Sequence, residues 1–134
     1  MKEAYCSYEI SKLLKEKGFD EECFGAYTET NHNITMFTGL IKNSEYGNAM
    51  YTAPTHQMAM AWLRERNIGI TPEIHITQDP KDYFWSATIF YLDKPWDIIQ
   101  FVSAPSKSLS EGYDDVIEQS IKYALENLLK EEQQ

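Results

Sequence analysis

The run from Tyr113 to Leu129 restricts the fold more than any other part of the chain. Apolar residues fall at Val116, Ile117, Ile121, Ala124, Leu125, Leu128 and Leu129, with charged and amide side chains between them. That spacing winds a single apolar stripe along a helix. Ser108 and Glu111 have capping-box spacing at its start, and Gly112 is an alternative cap. A helix with one apolar stripe is half of a layer, so the rest of the chain must supply the surface that it covers.

Strands supply that surface. Three extended runs, Glu73–Gln78, Tyr83–Leu92 and Ile98–Ser103, precede the helix and are joined by Asp79-Pro80-Lys81-Asp82 and Asp93-Lys94-Pro95-Trp96-Asp97. Nearer the start, Ser7–Lys17 carries helical spacing at Ile10, Leu13, Leu14 and Lys17. Gly18 stops that helix and Phe19 folds back over its last turn. Phe24–Glu29 and Ile34–Ile41 flank an Asn-rich turn, Thr30-Asn31-His32-Asn33. Residues 42–54 read as an irregular connection, after which Thr55 caps a helix to about Arg66 that Asn67 or Gly69 closes. The order is αββαβββα. It predicts one α+β domain over residues 1–134, with a mainly antiparallel five-stranded sheet and helices packed on one face.

The second hairpin can be given a register. Placing Gln78 opposite Tyr83 sets Thr77 against Phe84, His75 against Ser86 and Glu73 against Thr88 on one face. Ile76 then meets Trp85, and Ile74 meets Ala87, on the other. One face is dry and the other mixed, as a half-covered antiparallel sheet requires.

Charge and composition remove several functions. The chain holds 12 basic and 21 acidic residues, a net of −9, which repels a phosphate backbone and disfavours nucleic-acid binding. Nine Tyr, six Phe and three Trp are enough for base-stacking platforms, but the aromatic strand 83–92 has only Lys81 and Lys94 beside it. Core and interface use accounts for the aromatics better, with Phe84 and Phe90 facing outward. No apolar run follows Met1-Lys2-Glu3 and no stretch reaches membrane-spanning length, so neither a signal peptide nor a membrane partner is expected. Cys6 and Cys23 lack a C-x-x-C partner, which fits buried thiols in a reducing, cytoplasmic compartment.

The chemical motifs are few. His56, Met58 and Met60 in APTHQMAMAWLRER form a soft donor set of the kind that suits Cu(I). Alternation by two converges on a strand, however, and points about 200° apart on a helix. The run therefore reads as a core helix anchored by Trp62, and no metal or cofactor is expected. Arg64 and Arg66, at the tip of this helix, suit its dipole and are candidate anion contacts. His32, in a turn, and His56, at a helix start, read as solvent-facing, and no Cys sits beside a His. Asp79-Pro80-Lys81 has a D-x-K form but falls in a turn. G-x-S-x-G, P-loop, G-x-G-x-x-G and H-E-x-x-H patterns are absent.

Four segments, SYEISKLLKEKGF, APTHQMAMAWLRER, DYFWSATIFYL and YDDVIEQSIKYALENLLK, occur here in an order that resembles a group of short hypothetical proteins of phages and other mobile elements of gut bacteria. The resemblance implies a mobile-element origin and a cytoplasmic life inside a bacterium. It implies no reaction and no catalytic residue.

These readings converge on a non-enzymatic interaction module. Its candidate surface is the uncovered sheet face around Glu73, His75, Phe84, Ser86 and Thr88, or a sheet edge, and the partner is another protein or a second copy. One alternative is a small enzyme or ligand-binding domain using His75 and Glu73 as an imidazole–carboxylate pair. Another is an acidic inhibitor of a nucleic-acid enzyme, which requires the carboxylates to gather on one face.

Overall fold

A computed structural model describes residues 4–47, 49–76, 83–103 and 109–129. The fold is α+β, with α1 (Tyr8–Glu16), α2 (His56–Arg64) and α3 (Leu109–Tyr123), and strands β1 (Cys23–Tyr27), β2 (Thr35–Ile41), β3 (Tyr51–Ala53), β4 (Ile68–Ile76), β5 (Tyr83–Tyr91) and β6 (Lys94–Val102). The strands make two three-stranded antiparallel sheets, ordered β2-β1-β3 and β4-β5-β6, in place of the expected single five-stranded sheet. The sixth strand is β3. At three residues it is too short to show alternation, and the sequence there reads as a connection. The chain divides into two compact units, Met1–Trp62 and Leu63–Gln134.

In the first unit, Ser7 caps α1 by accepting a hydrogen bond from the Ile10 N–H (3.3 Å). Gly18 ends it at φ +97°, a left-handed conformation that other residues adopt at a cost, and the Phe19 N–H returns to the Leu14 carbonyl (2.9 Å). Phe19 is thereby buried, edge-on to Trp62 at 5.7 Å between ring centres. Asn43 is buried as well; its amide donates to the Phe19 carbonyl and accepts from the Thr52 N–H, both at 2.9 Å, tying the end of α1 to β3. The Asn-rich turn forms as expected, with the Asn31 side chain accepting from the Asn33 N–H (3.1 Å). Thr55 also caps α2 as expected, through the Met58 N–H (3.2 Å).

In the second unit, α3 lies on β5 and more lightly on β4 and β6. Its buried stripe is Gly112, Val116, Ile117, Ser120 and Ile121, continued by Ala124 and Leu125 in a π-helical turn over Ala124–Leu128. Facing this stripe are Trp85, Ala87, Ile89 and Tyr91 of β5. Trp85 meets Tyr113 edge-on at 4.9 Å, and the Tyr91 hydroxyl donates to the Leu128 carbonyl (2.6 Å). Gly112 allows the close approach, since a Cβ there would stand 3.1 Å from Trp85 and 3.2 Å from the Ser103 hydroxyl. Ser108, the proposed cap, and Asp79-Pro80-Lys81 lie outside the described residues.

The β4–β5 register differs from expectation by two residues: His75 faces Phe84, Glu73 faces Ser86, and Ile76 with Tyr83 is the last pair. An even displacement leaves every side chain on its expected face. β4 also begins earlier, at Ile68, because Asn67 (φ +73°) ends the preceding turn. Its carbonyl accepts the Leu92 N–H (2.9 Å), and that bond makes 67 and 92 a hydrogen-bonded pair. By alternation along the ladder, Pro72 belongs to a non-bonded pair, and its ring nitrogen faces away from β5. β6 is longer than expected. It starts at Lys94, with two residues between it and Tyr91, and a register irregularity opposite Ile89–Tyr91 absorbs Pro95.

Leu14 and Ile117 are fully buried, one in each unit. Leu14→Ala and Ile117→Ala are each expected to cost about 2–5 kcal/mol in chemical denaturation. Thr38→Ala, on exposed backbone of β2, is expected to stay within about 0.5 kcal/mol of the wild type.

Candidate interaction surface

The sheet β4-β5-β6 has a second face, turned away from α3. Alternation places Thr71, Glu73 and His75 of β4, Phe84, Ser86, Thr88 and Phe90 of β5, and Gln100 and Val102 of β6 on it. The five residues expected to form one surface are therefore brought together. The His75 ring stacks on Phe84 at 4.7 Å and 9° between planes, sharing a hydrogen bond of 2.7 Å between Nε2 and the Ser86 hydroxyl. Glu73 Oε1 lies 3.7 Å from the same nitrogen. This arrangement fixes the imidazole on three sides and leaves its edge and the Phe84 ring half-buried. It does not set up nucleophilic chemistry, because Ser86 is only 1% exposed and its hydroxyl is closed to a substrate.

β6 is one edge of this sheet, and α3 covers it only lightly, through a contact of Tyr123 with Phe101. Trp96 is 76% exposed, Val102 53%, Ile98 51% and Ile99 37%. Solvated strands normally alternate apolar with polar residues, so this row is unusual for a surface that stays wet. The sequence concealed it. Ile98–Ser103 reads as an ordinary half-buried strand until its place at an edge is known.

Arg64 and Arg66 are separated by the end of α2. Arg64 is exposed in the last helical turn, and Arg66 lies beyond it, 3.7 Å from the Glu65 carboxylate. They do not form a fork, and the acid beside Arg66 weakens any anion site there. In the soft-donor run, His56 and Met60 are buried and Met58 is partly exposed, as a core helix requires. The solvent-facing reading of His56 is corrected. Residues 4–6 run beside 54–56, with the Cys6 N–H donating to the Pro54 carbonyl and the His56 N–H to the Ala4 carbonyl, both at 2.9 Å. That pairing brings the Cys6 sulfur and an imidazole nitrogen of His56 within 4.8 Å of each other, a neighbourhood that 50 residues of separation hid. Cys23 is buried too, and burial pushes its thiol up to about 11, so it is not a reactive thiolate.

The first unit holds a polar cluster that the sequence did not single out. Glu29 accepts hydrogen bonds from the Tyr51 and Tyr8 hydroxyls and pairs with Lys12 at 3.8 Å. His32 stacks on Tyr8 at 3.6 Å, and Lys15 lies over the Tyr51 ring at 5.2 Å while donating to the Met50 carbonyl (2.7 Å). The Tyr51 hydroxyl, foremost, holds the Glu29 carboxyl below its usual range, and the same bond pushes Tyr51 up to about 12. Burial, aided by Glu29, also raises Tyr8. One carboxylate is thus neutralised by its own neighbours, and the cluster clamps the β1–β2 turn to α1. Elsewhere in this unit a depression of about 420 Å³ is lined by Asp20, Glu21, Glu22, Leu40, Lys42 and Met58. The Ser44 N–H donates to Asp20 (2.8 Å) and lowers its carboxyl's pKa.

No helix among the described residues is long and apolar enough to cross a membrane. In comparisons with known proteins, no family model, no curated protein and no solved structure matches the chain.

The Glu29 clamp has a signed pH dependence. Its carboxyl is depressed in the folded state, so its contribution is present above the ordinary value of 4.5 and is lost as the pH falls through the folded value. Tyr51 is raised, so its contribution is present below 10.0 and is lost as the pH climbs towards about 12. Denaturation midpoints measured across pH should fall less steeply on the acid side for Glu29→Gln than for the wild type. Tyr51→Phe should flatten the alkaline side.

Proposed function

We propose that the protein is a non-enzymatic interaction module of mobile-element origin, acting in the bacterial cytoplasm through the β4-β5-β6 sheet. The observation that carries this reading is the pairing of an open face, where Phe84 and His75 form a stacked aromatic step, with an edge strand whose apolar side chains stand in water. A preformed sheet with one uncovered face and an unpaired, apolar β6 edge offers main-chain hydrogen bonds for affinity and aromatic anchors for specificity. The chain's net charge of −9 turns nucleic acid away and favours a protein partner. The enzyme alternative, with His75 and Glu73 as its working pair, loses support because the imidazole is already bonded to a buried hydroxyl.

Affinity capture with the immobilised full chain from a gut-bacterial host lysate, quantified by mass spectrometry, tests this. The wild type should enrich a defined partner or itself, and the His75→Ala/Phe84→Ala double variant should lose at least about 1.4 kcal/mol of affinity, a tenfold drop in capture. An empty capture together with a strictly monomeric protein would remove the proposal.

A further inference from the structure

We infer that the occupant of the β6 edge is a second copy of the same strand, paired antiparallel about a two-fold axis at Gln100. This deepens the interaction reading of the same sheet and rests on it. The Ser103 N–H donates to the Trp85 carbonyl (2.8 Å), which makes 85 and 103 a hydrogen-bonded pair. Along the regular stretch of the ladder, where Ala87 faces Phe101 and Ile89 faces Ile99, the odd-numbered residues of β6 bond inward to β5. Ile98, Gln100 and Val102 therefore turn their N–H and carbonyl groups outward, to the free edge.

An antiparallel copy centred on Gln100 satisfies all three residues at once. Gln100 exchanges both main-chain bonds with its own counterpart, and Ile98 exchanges both with Val102 of the second copy. A centre between two residues would set inward-bonded residues against outward-bonded ones, and a centre on Ile99 or Phe101, though it keeps the parity, would set Gln100 against Ile98 or Val102. The side chains match in the same register. Ile98 meets Val102 on the open face, with the two Gln100 amides between these pairs, and Ile99 meets Phe101 on the α3 face. Apolar faces apolar on either side of the central Gln100 pair, and no charge falls within Ile98–Val102.

The exposed apolar side chains that this register covers are Ile98, Ile99 and Val102, a modest area that fits a weak, concentration-dependent dimer. The N-terminal part of β6 contributes a boundary. Lys94 and Asp97 carry charge and Pro95 lacks a donor where the ladder is irregular, so pairing is confined to the uncharged stretch that follows. The symmetry is isologous, and pairing through this edge closes at two chains.

Sedimentation velocity of the full chain from about 1 to about 100 µM should show a monomer passing to a dimer, as a modest interface predicts. Gln100→Pro deletes an outward donor without touching a bond to β5; it should keep the wild-type circular dichroism and melting temperature yet remain monomeric. Val102→Lys, a second variant that places charge in the new ladder, should behave likewise. Under mild oxidation Gln100→Cys should form a disulfide-linked dimer, because the axial pair sits at about 5.5 Å between Cα atoms. Thr38→Cys, on exposed β2, should not. A wild type that stays monomeric throughout, a dimer that survives both variants, or Gln100→Cys cross-linking no faster than Thr38→Cys would each overturn the inference. A monomer that still captures a different protein, with capture lost in His75→Ala/Phe84→Ala, overturns self-pairing while leaving the interaction module intact. A monomer that captures nothing removes both.

Discussion

The packing of α3 on β5 is the interaction on which the second unit depends. Val116, Ile117 and Ile121 bury completely over a strand whose facing side chains include Ala87 and Ile89, both without exposed surface. Each such side chain is worth about 1.5–3 kcal/mol when removed from water. Gly112 lets the helix axis drop close to Trp85, and the Tyr91 hydroxyl fastens the far end through Leu128. Because one helix is centred on the middle strand, only one face is covered and β6 is covered least. The exposed surfaces are thus a geometric consequence of having one helix for three strands.

The parts of this arrangement that follow local rules were legible in the sequence. The α3 stripe, the Thr55 cap, the Gly18 stop and the Asn-rich turn each depend on residues within a few positions of each other. The face assignment of Glu73, His75, Phe84 and Ser86 survived a register error because the displacement was even. What could not be read depends on contacts distant in sequence. Tyr51–Ala53 becomes a strand only because β1 lies beside it, and the six strands divide into two ladders through pairings that alternation does not encode. His56 and Cys6 meet through two extended segments with no periodic signature. The exposure of β6 needed the strand order, which hydrophobic pattern alone leaves open.

The Glu29 cluster shows how a collection of reactive residue types can serve position instead of chemistry. Its tyrosines are held protonated, its carboxylate is held ionised, and its lysines lie over an aromatic ring or on main-chain carbonyls. The Glu29 carboxyl and the Tyr51 hydroxyl each have their charge state fixed by the other. A site poised for proton transfer needs groups whose two protonation states lie close in energy, and this one moves them apart. Its role is to bind the β1–β2 turn to the first helix.

Pro72 gives the second sheet an asymmetry with consequences at high concentration. Both outer strands of a three-stranded sheet are templates for further chains, and a protein with two competent edges can stack into a fibre. The β4 edge has a ring nitrogen where a donor would stand, at the middle of the strand, and Glu73 follows it. Of the two outer strands of this sheet, β6 is the one without such a block. Joined there, two sheets would present a proline-blunted margin on either side, so further growth through this sheet is disfavoured once the apolar edge is used up.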